Sequence, residues 1–184
     1  AKELLGKGTY HYMQGEYEEA IEHLMQVIAE APGLSEPFNT LGFIHETLGN
    51  LKESEEFFLL AAHLAPHDAE LWRRIANIAK TRGDYEQQIY CLRRCLRNST
   101  DNDDVYDEVL WEISVVHVEK NKHERAVRYL QKLIKRQPAD SVVAAELAKV
   151  YHKLKRKPEA IDILEKLIER QIQEGSEVNE NVLY

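Results

Sequence analysis

Apolar residues in this chain recur at three- and four-residue spacing, in short segments that polar turns separate. Representative runs are Ala20, Leu24, Val27 and Ile28, and later Leu130, Leu133 and Ile134. This spacing gives each segment one apolar face, which is the pattern of an amphipathic helix. The segments are short and lie close together, so the pattern predicts an all-α fold in which neighbouring helices pack against each other.

Turn residues and apolar residues share a common interval of 34 residues along the chain. The positions that keep this interval are Gly15, Gly49 and Gly83; Pro32 and Pro66; Leu4, Phe38 and Trp72; and Gly8, Gly42 and Ala76. A fixed interval of this length is the signature of a stacked repeat protein. Because one such repeat is too small to bury its apolar face alone, neighbouring repeats are expected to stack.

The interval divides the chain into five predicted repeats, which span 1–34, 35–68, 69–102, 107–140 and 141–174. An acidic insertion at 103–106 separates the third repeat from the fourth. The segment 99–108 around it is expected to form a longer acidic turn before the fourth repeat, with an extended first helix, because loops tolerate insertions at low cost; a recognition loop is the alternative. Residues 175–184 are expected to be a tail or the start of a further, truncated helix.

Helix ends and close helix contacts are predicted from single residues. Left-handed C-caps are expected at Gly15, Gly49 and Gly83, and N-caps at Asp68, Asp84 and Asp140. Small residues that let the two helices of a repeat approach closely are Gly8, Gly42, Ala76 and Ala148. Trp72 lies at a helix-packing position, so its side chain is expected in the core.

A helix, a turn and a second helix in each interval resemble the tetratricopeptide-repeat family, over residues 1–174. The resemblance implies a right-handed superhelical solenoid of about five repeats, whose first helices line the concave side. His11, His45 and His117 stand where the family usually has an aromatic residue, and Ser54 and Gln88 replace a small alanine.

The same resemblance places four positions of each first helix on the concave side and so predicts a protein-binding groove. The predicted groove residues are Leu5, Tyr12, Asn39, Phe43, Arg73, Asn77, Lys80, Trp111 and Val115. Aromatic and arginine side chains on such a surface are the usual hot spots of protein binding. For two residues the alternative is packing within the fold: Trp111 against the extra turn, and Phe43 against the neighbouring helix.

The charge of the chain favours a protein partner. The net charge is −8, and it divides into −10 over residues 1–72 and +2 over residues 73–184. Such an asymmetric field steers a protein partner more readily than a nucleic-acid duplex. Basic groups fall on different repeats and near helix C-termini instead of forming one stripe, so direct nucleic-acid binding is not expected. At 30% charged residues, the chain is too polar for a membrane span.

No motif in the chain carries catalytic chemistry. There is no phosphate-binding glycine loop, no Gly-x-Ser-x-Gly and no HExxH sequence. Cys91 and Cys95 could begin a metal site but lack further ligands, so Cys95 is expected to pack as a small hydrophobe. His63 and His67 have Pro66 between them and so do not form a two-ligand helical face. We therefore expect no enzyme, no cofactor and no metal.

Three stretches carry a more specific resemblance, mainly over residues 33–97: SEPFNTLGFIHETLGN, FFLLAAHLAPHDAELWRRIANIA and QQIYCLRRCLR. They resemble the tetratricopeptide-repeat subunits of general transcription factor IIIC, since AAHLAPHDAELW keeps residues that the general repeat motif does not require. The resemblance implies a nuclear, non-catalytic scaffold for RNA polymerase III transcription at tRNA and 5S rRNA genes. It implies as partners the Brf-type and B-double-prime subunits of initiation factor IIIB, and other factor IIIC subunits.

Two other classes of function stay open from the residues alone. One is a repeat scaffold of a different assembly, such as a ubiquitin ligase or a trafficking complex. The other is the substrate-recruiting arm of an enzyme whose catalytic domain lies outside this sequence. Further helix repeats downstream would favour a scaffold, whereas a nucleotide-sugar-binding fold would favour the enzyme.

Overall fold

The computed structural model describes residues 1–99 and 104–182, with side chains through residue 173. Within these residues it has ten α-helices and no strand. The helices are α1 (Lys2–Gln14), α2 (Tyr17–Glu30), α3 (Ser35–Thr47), α4 (Leu51–Leu64), α5 (Ala69–Arg82), α6 (Tyr85–Asn98), α7 (Asp104–Glu119), α8 (His123–Arg136), α9 (Ser141–Lys153) and α10 (Lys157–Val182). The predicted all-α class is confirmed.

The helices form hairpins in two compact units, Ala1–Thr100 and Asp101–Tyr184. The first unit contains the hairpins α1–α2, α3–α4 and α5–α6, and the second contains α7–α8 and α9–α10. Within a unit, the second helix of one hairpin packs on the first helix of the next, as α2 does on α3, α4 on α5, and α8 on α9. Within each unit, a hairpin thus buries its apolar side against the neighbouring hairpin, as expected for stacked repeats.

Close contact within the hairpins depends on two glycines. A Cβ atom added to Gly42 of α3 would lie 2.5 Å from the ring of Phe58 in α4, and one added to Gly8 would lie 2.9 Å from Leu24. The predicted role of these small residues is confirmed. Ser54 of α4 adds a buried hydrogen bond, since its Oγ donates to the carbonyl oxygen of Gly42 at 2.9 Å.

The predicted helix caps are also present. Gly15, Gly49 and Gly83 have φ angles of 79°, 78° and 75°, in the left-handed region that suits glycine. The side chains of the three predicted N-caps accept hydrogen bonds from backbone N–H groups of the helices that follow: Asp68 from Leu71, Asp84 from Gln87, and Asp140 from Val142 and Val143. Each cap supplies a partner for an N–H group that the helix itself leaves unpaired.

The corresponding turns of the second unit keep the left-handed conformation without glycine. Asn121 has φ 55° and Lys155 has φ 61°. These residues follow α7 and α9 as Gly15 follows α1, so the same turn geometry is imposed on residues with a Cβ atom. Asparagine tolerates this region, whereas it is strained for lysine.

Most of the acidic insertion lies in a helix. α7 begins at Asp104, so residues 104–106 form its first turn, and Asp103 lies outside the described residues. The turn is fixed to α8: Asp107 pairs with Arg136 and accepts a hydrogen bond from Gln137 at 2.8 Å. The guanidinium of Arg136 also lies 4.9 Å from the ring centre of Tyr106. These contacts agree with an extended first helix, the first of the two readings of this segment.

The last helix is longer than the sequence predicts. α10 runs from Lys157 to Val182, so residues 175–182 continue this helix and do not start a new one. No proline follows Pro158, and residues 169–181 are rich in Glu and Gln, which are good helix formers. The glycine at position 175 costs only about 1 kcal/mol within a helix, too little to end it.

Apolar residues on the outer side of α10 are exposed, although α8 buries the residues that lie 34 positions before the first two of them. Ile161, Leu164, Ile168 and Ile172 are 40–65% exposed. Val127 and Leu130 occupy the first two of these repeat positions in α8 and are at most 3% exposed, because α9 packs on α8. The exposure of a given repeat position therefore depends on whether a helix packs against it.

We expect Gly42→Ala to lower the free energy of unfolding by about 1–3 kcal/mol, because Phe58 is fully buried and has no room to move. The matched control is Gly6→Ala in α1, where nothing lies within 4 Å of the added Cβ atom. It should raise stability by about 0.5–1 kcal/mol through helix propensity. Urea unfolding followed by circular dichroism measures both, and an unchanged Gly42→Ala would contradict the close contact.

Lys155→Gly should raise the free energy of unfolding by about 0.5–1 kcal/mol, because it relieves the left-handed strain after α9. Lys153→Gly is the matched control, since it removes the same side chain within the last turn of α9. There glycine should lower stability by about the same amount. Thermal unfolding of both variants tests the assignment, and two shifts of the same sign would refute it.

Candidate protein-binding site

The predicted groove residues all lie on first helices of hairpins, and we call them the first-helix set. In the first unit they are Leu5 and Tyr12 on α1, Asn39 and Phe43 on α3, and Arg73, Asn77 and Lys80 on α5. In the second unit they are Trp111 and Val115 on α7. Members of one helix are four, three or seven residues apart, so each helix presents its members on one side.

The polar members on α5 are the most accessible of the set. Asn77 and Lys80 are exposed, and Arg73 is partly buried. The three residues span two helical turns, so they place one amide and two cations along a single side of α5. Such a cluster suits the carbonyl oxygens and carboxylates of a polypeptide.

Asn39 on α3 has an unusual environment. Its Oδ1 atom is buried, and it accepts no hydrogen bond from any group in residues 1–99 or 104–173. A buried acceptor without a donor costs on the order of 1–3 kcal/mol. Because this atom is buried, an N–H group of a bound segment would reach it only after the side chains that cover it move, so a partner contact by Asn39 stays a prediction.

The side chain of Phe43 makes most of its contacts within the fold. Its ring packs edge-to-face on Phe58, with ring centres 5.1 Å apart, and the guanidinium of Arg74 lies 4.6 Å above it. Arg74 also pairs with Glu46 of α3 at 3.1 Å. Arg74 therefore joins α5 to α3 over the Phe43 ring. Packing against a neighbouring helix is the alternative predicted for Phe43 from the sequence, and the structure agrees with it.

Leu5 and Tyr12 of α1 are partly buried against a cluster of apolar side chains. The cluster consists of Ala20, Leu24, Leu41 and Ile44. Tyr12 also lies near Tyr17, with ring centres 6.4 Å apart. Both residues therefore contribute to the core of the first unit and leave only part of their surface for a partner.

The two members in the second unit are partly buried on α7. The backbone carbonyl of Trp111 accepts a hydrogen bond from Ser114 Oγ at 2.7 Å. A partner contact by Trp111 or Val115 stays a prediction. By contrast, Trp72 of α5 is fully buried as predicted, and its Nε1 donates to the carbonyl oxygen of Pro66 at 3.0 Å.

The histidines that replace family aromatics still act as packing rings. Their ring pairs are His11–His23 at 5.3 Å and His45–Phe57 at 5.2 Å in the first unit, and His117–Tyr129 at 5.6 Å in the second. Within the described residues, no group of three or more His, Cys, Asp or Glu side chains could hold a metal ion. The imidazoles thus take the place of the usual aromatic ring without forming a metal site.

The side chains of both cysteines are buried. Burial raises the pKa of the Cys91 thiol to about 12, so it carries a proton at physiological pH. A protonated, enclosed thiol is a poor nucleophile and a poor metal ligand. Among the described helices, none is both long enough and apolar enough to cross a membrane.

Arg74→Ala should lower the free energy of unfolding by about 1–2 kcal/mol, because it removes both the contact over Phe43 and the pair with Glu46. Lys80→Ala on the same helix is the control, since Lys80 is exposed and surface changes usually stay within about 0.5 kcal/mol. Chemical denaturation compares the two variants. Equal stabilities would show that Arg74 does not hold α3 to α5.

Comparison with solved structures shows a repeat fold of the same kind. The chain matches the crystal structure of MamA protein with a TM-score of 0.61 at 17% identity, covering 95% of this chain and 93% of that one. It matches YrrB, described as a TPR protein with an unusual peptide-binding site, with a TM-score of 0.60 at 12% identity, over 90% and 84% of the two chains. At these identities the similarity shows the fold alone.

Curated relatives are subunits of transcription factors. The chain is 32% identical to human general transcription factor 3C polypeptide 3 over 167 residues, which is 88% of this chain and 18% of that protein. It is 25% identical to transcription factor tau subunit sfc4 of Schizosaccharomyces pombe, over 77% of this chain and 14% of that protein. The transcription factor tau 131 kDa subunit of Saccharomyces cerevisiae is 24% identical, over 93% and 16%. The chain thus spans less than a fifth of the length of these relatives.

Three tetratricopeptide-repeat family models match the chain, at residues 4–33, 35–68 and 117–179. Together they cover more than half of its length and include hairpins of both units. The relatives confirm the more specific resemblance to factor IIIC subunits seen in the sequence. The chain therefore belongs to the tetratricopeptide-repeat family and is similar, over this array of helices, to subunits of transcription factors IIIC and tau.

Proposed function

We propose that this array is a protein-binding arm of a transcription factor IIIC subunit, and that its first-helix set binds a segment of initiation factor IIIB. The Brf-type and B-double-prime subunits are the partners proposed, together with other factor IIIC subunits. In this role the chain acts in the nucleus, recruiting factor IIIB to genes that RNA polymerase III transcribes. It contributes surfaces and no catalysis.

The observation that carries the proposal is the chemistry of the first-helix set in the first unit. On α5, Arg73, Asn77 and Lys80 offer two cations and an amide, and Asn77 and Lys80 are exposed. Backbone N–H and C=O groups of an extended polypeptide, together with acidic side chains, match these groups. Folded domains with paired surface groups would match them less well.

The partly buried apolar members define where bulky side chains of the segment would rest. Leu5 and Tyr12 retain some exposed surface beside the core cluster of the first unit. Phe43 is covered by Arg74, so it contributes less than its aromatic character suggests. We therefore assign most of the binding energy in the first unit to the polar groups of α5.

The similarity to factor IIIC and tau subunits favours this function over a scaffold of another assembly or the recruiting arm of an enzyme. All three relatives named above are transcription factor subunits. Recruitment of factor IIIB in particular rests on what the factor IIIC resemblance implies and on the fit of the first-helix set to a polypeptide.

Reversing two charges of the set should weaken binding to purified Brf-type or B-double-prime protein. For Arg73→Glu with Lys80→Glu, we expect a loss of about tenfold or more in affinity, because both positions would then carry negative charges that repel an acidic segment. The matched control is Lys52→Glu with Arg97→Glu, which makes the same change of net charge on the second helices α4 and α6. Pull-down and fluorescence anisotropy measure binding.

Circular dichroism checks that both double variants keep their helices. An equal loss of binding in the two variants would mean that net charge alone governs association. Unchanged binding in Arg73→Glu with Lys80→Glu would move the factor IIIB site away from the first-helix set. Failure of the wild-type array to bind either factor IIIB subunit at micromolar concentration would overturn the proposed recruitment.

A further inference from the structure

A cleft in the second unit lies among α8, α9 and α10, and the first-helix set takes no part in it. Its volume is about 420 Å³. Tyr151 of α9 contributes to its lining, together with Ile134 of α8, Pro138 in the turn after α8, and Ile163 and Leu167 of α10. The volume lies within the range of pockets that bind ligands, and these side chains are apolar or aromatic.

The shape of the cleft is fixed by contacts of Tyr151. Its hydroxyl accepts a hydrogen bond from Gln131 Nε2 at 2.7 Å, which ties α9 to α8. The guanidinium of Arg156 lies 4.8 Å from the centre of the Tyr151 ring. Tyr151 is only 3% exposed, so it acts mainly by holding α8 and α9 in place, and binding in the cleft would require little reordering.

Charged groups around the cleft divide into paired and unpaired ones. Asp162 pairs with Lys166 at 2.7 Å, and Glu159 pairs with Arg156 at 2.8 Å. The hydrogen bond from Arg156 lowers the pKa of the Glu159 carboxyl and so keeps it ionised. Lys135 and Arg170 also line the cleft, and neither makes an ion pair within the described part of the chain.

We propose that this cleft is a second protein-binding site, which takes a short acidic peptide segment of another protein with a bulky apolar side chain. The apolar side chain would fill the space between Ile134 and Leu167. Acidic residues beside it would pair with Lys135 and Arg170, which form no ion pair with the described residues.

Two features favour a peptide over a nucleic acid at this site. Most of the accessible lining is apolar and offers no favourable contact to a phosphate backbone. Apolar side chains of a peptide would instead bury this surface. The carboxylates of Glu159 and Asp162 also lie at the cleft, where they would repel successive phosphates. A peptide can place single carboxylates beside the two cations and avoid these acids.

The site differs from the proposed factor IIIB site in both location and polarity. It lies mainly on the second helices α8 and α10, whereas the first-helix set lies on first helices. Its lining includes apolar side chains such as Ile134, Ile163 and Leu167, whereas the members of the first-helix set on α5 are all polar. The two proposals can therefore fail independently of each other.

The test uses a short fluorescein-labelled peptide in which glutamates flank a central Leu-Phe pair, with fluorescence anisotropy as the readout. In the whole chain, Lys135→Glu with Arg170→Glu should weaken binding by about tenfold. The matched control is Arg125→Glu with Lys132→Glu, which makes the same charge change in the same unit on exposed residues that do not line the cleft. The control should stay within about twofold of the wild type.

Two altered peptides separate the contributions of the acidic and the apolar side chains to binding. Replacing its glutamates by glutamine should weaken binding to the wild type and strengthen binding to Lys135→Glu with Arg170→Glu, because it removes the repulsion between like charges. Replacing the Leu-Phe pair of the peptide by serines should abolish binding to both the wild type and the double variant.

Three results would overturn the proposal. These are no binding of the acidic peptide to the wild type at about millimolar concentration, an equal loss in the control variant, or no effect of the serine replacement. Cleft-dependent binding of a single-stranded oligonucleotide in place of the peptide would identify a nucleic-acid site and would equally refute it. Circular dichroism of each variant confirms that the helices are intact.

Discussion

Each hairpin of the first unit depends on how closely its two helices approach. In α3 and α4 the approach is set by a glycine against an aromatic ring, where Gly42 leaves no space for a Cβ atom beside Phe58. The first hairpin uses the same arrangement, with Gly8 against Leu24. Because packed interiors have no spare volume, the spacing of the helices fixes which faces remain for the next hairpin. The packing of these two hairpins on their neighbours follows from this contact.

Stacking of neighbours also decides which residues are available to partners. Val127 and Leu130 are buried in α8 because α9 packs on them, whereas Ile161 and Leu164 at the same repeat positions of α10 are exposed. The identity of a residue therefore does not define its exposure; its place in the stack does. The same logic explains why Phe43 is a weaker binding candidate than its aromatic ring suggests, since Arg74 from the next hairpin covers it.

Features that depend on a few adjacent residues could be predicted from the sequence. The glycine C-caps and the aspartate N-caps were predictable because one residue type suits each backbone position. The bridge of Arg74 over Phe43 was not, since it joins residues 31 positions apart and neither residue signals it alone. Lys155 was also missed, because the turn geometry is imposed by the repeat while the residue itself disfavours it. The first-helix set was predicted as positions on helices, but its burial depends on packing between hairpins.

The balance between paired and unpaired groups then separates structural charges from candidate binding charges. Arg74, Arg136 and Arg156 each pair with a carboxylate and lie over an aromatic ring, so their charges are used within the fold. A partner that competed for them would first have to break these contacts. Lys135 and Arg170 carry no such cost in the described part of the chain, and they lie beside apolar surface that is already held in place by Tyr151. Binding energy is gained most readily where charge is unmatched and the surface is preformed, which is the reason for assigning a second binding role to the α8–α10 cleft.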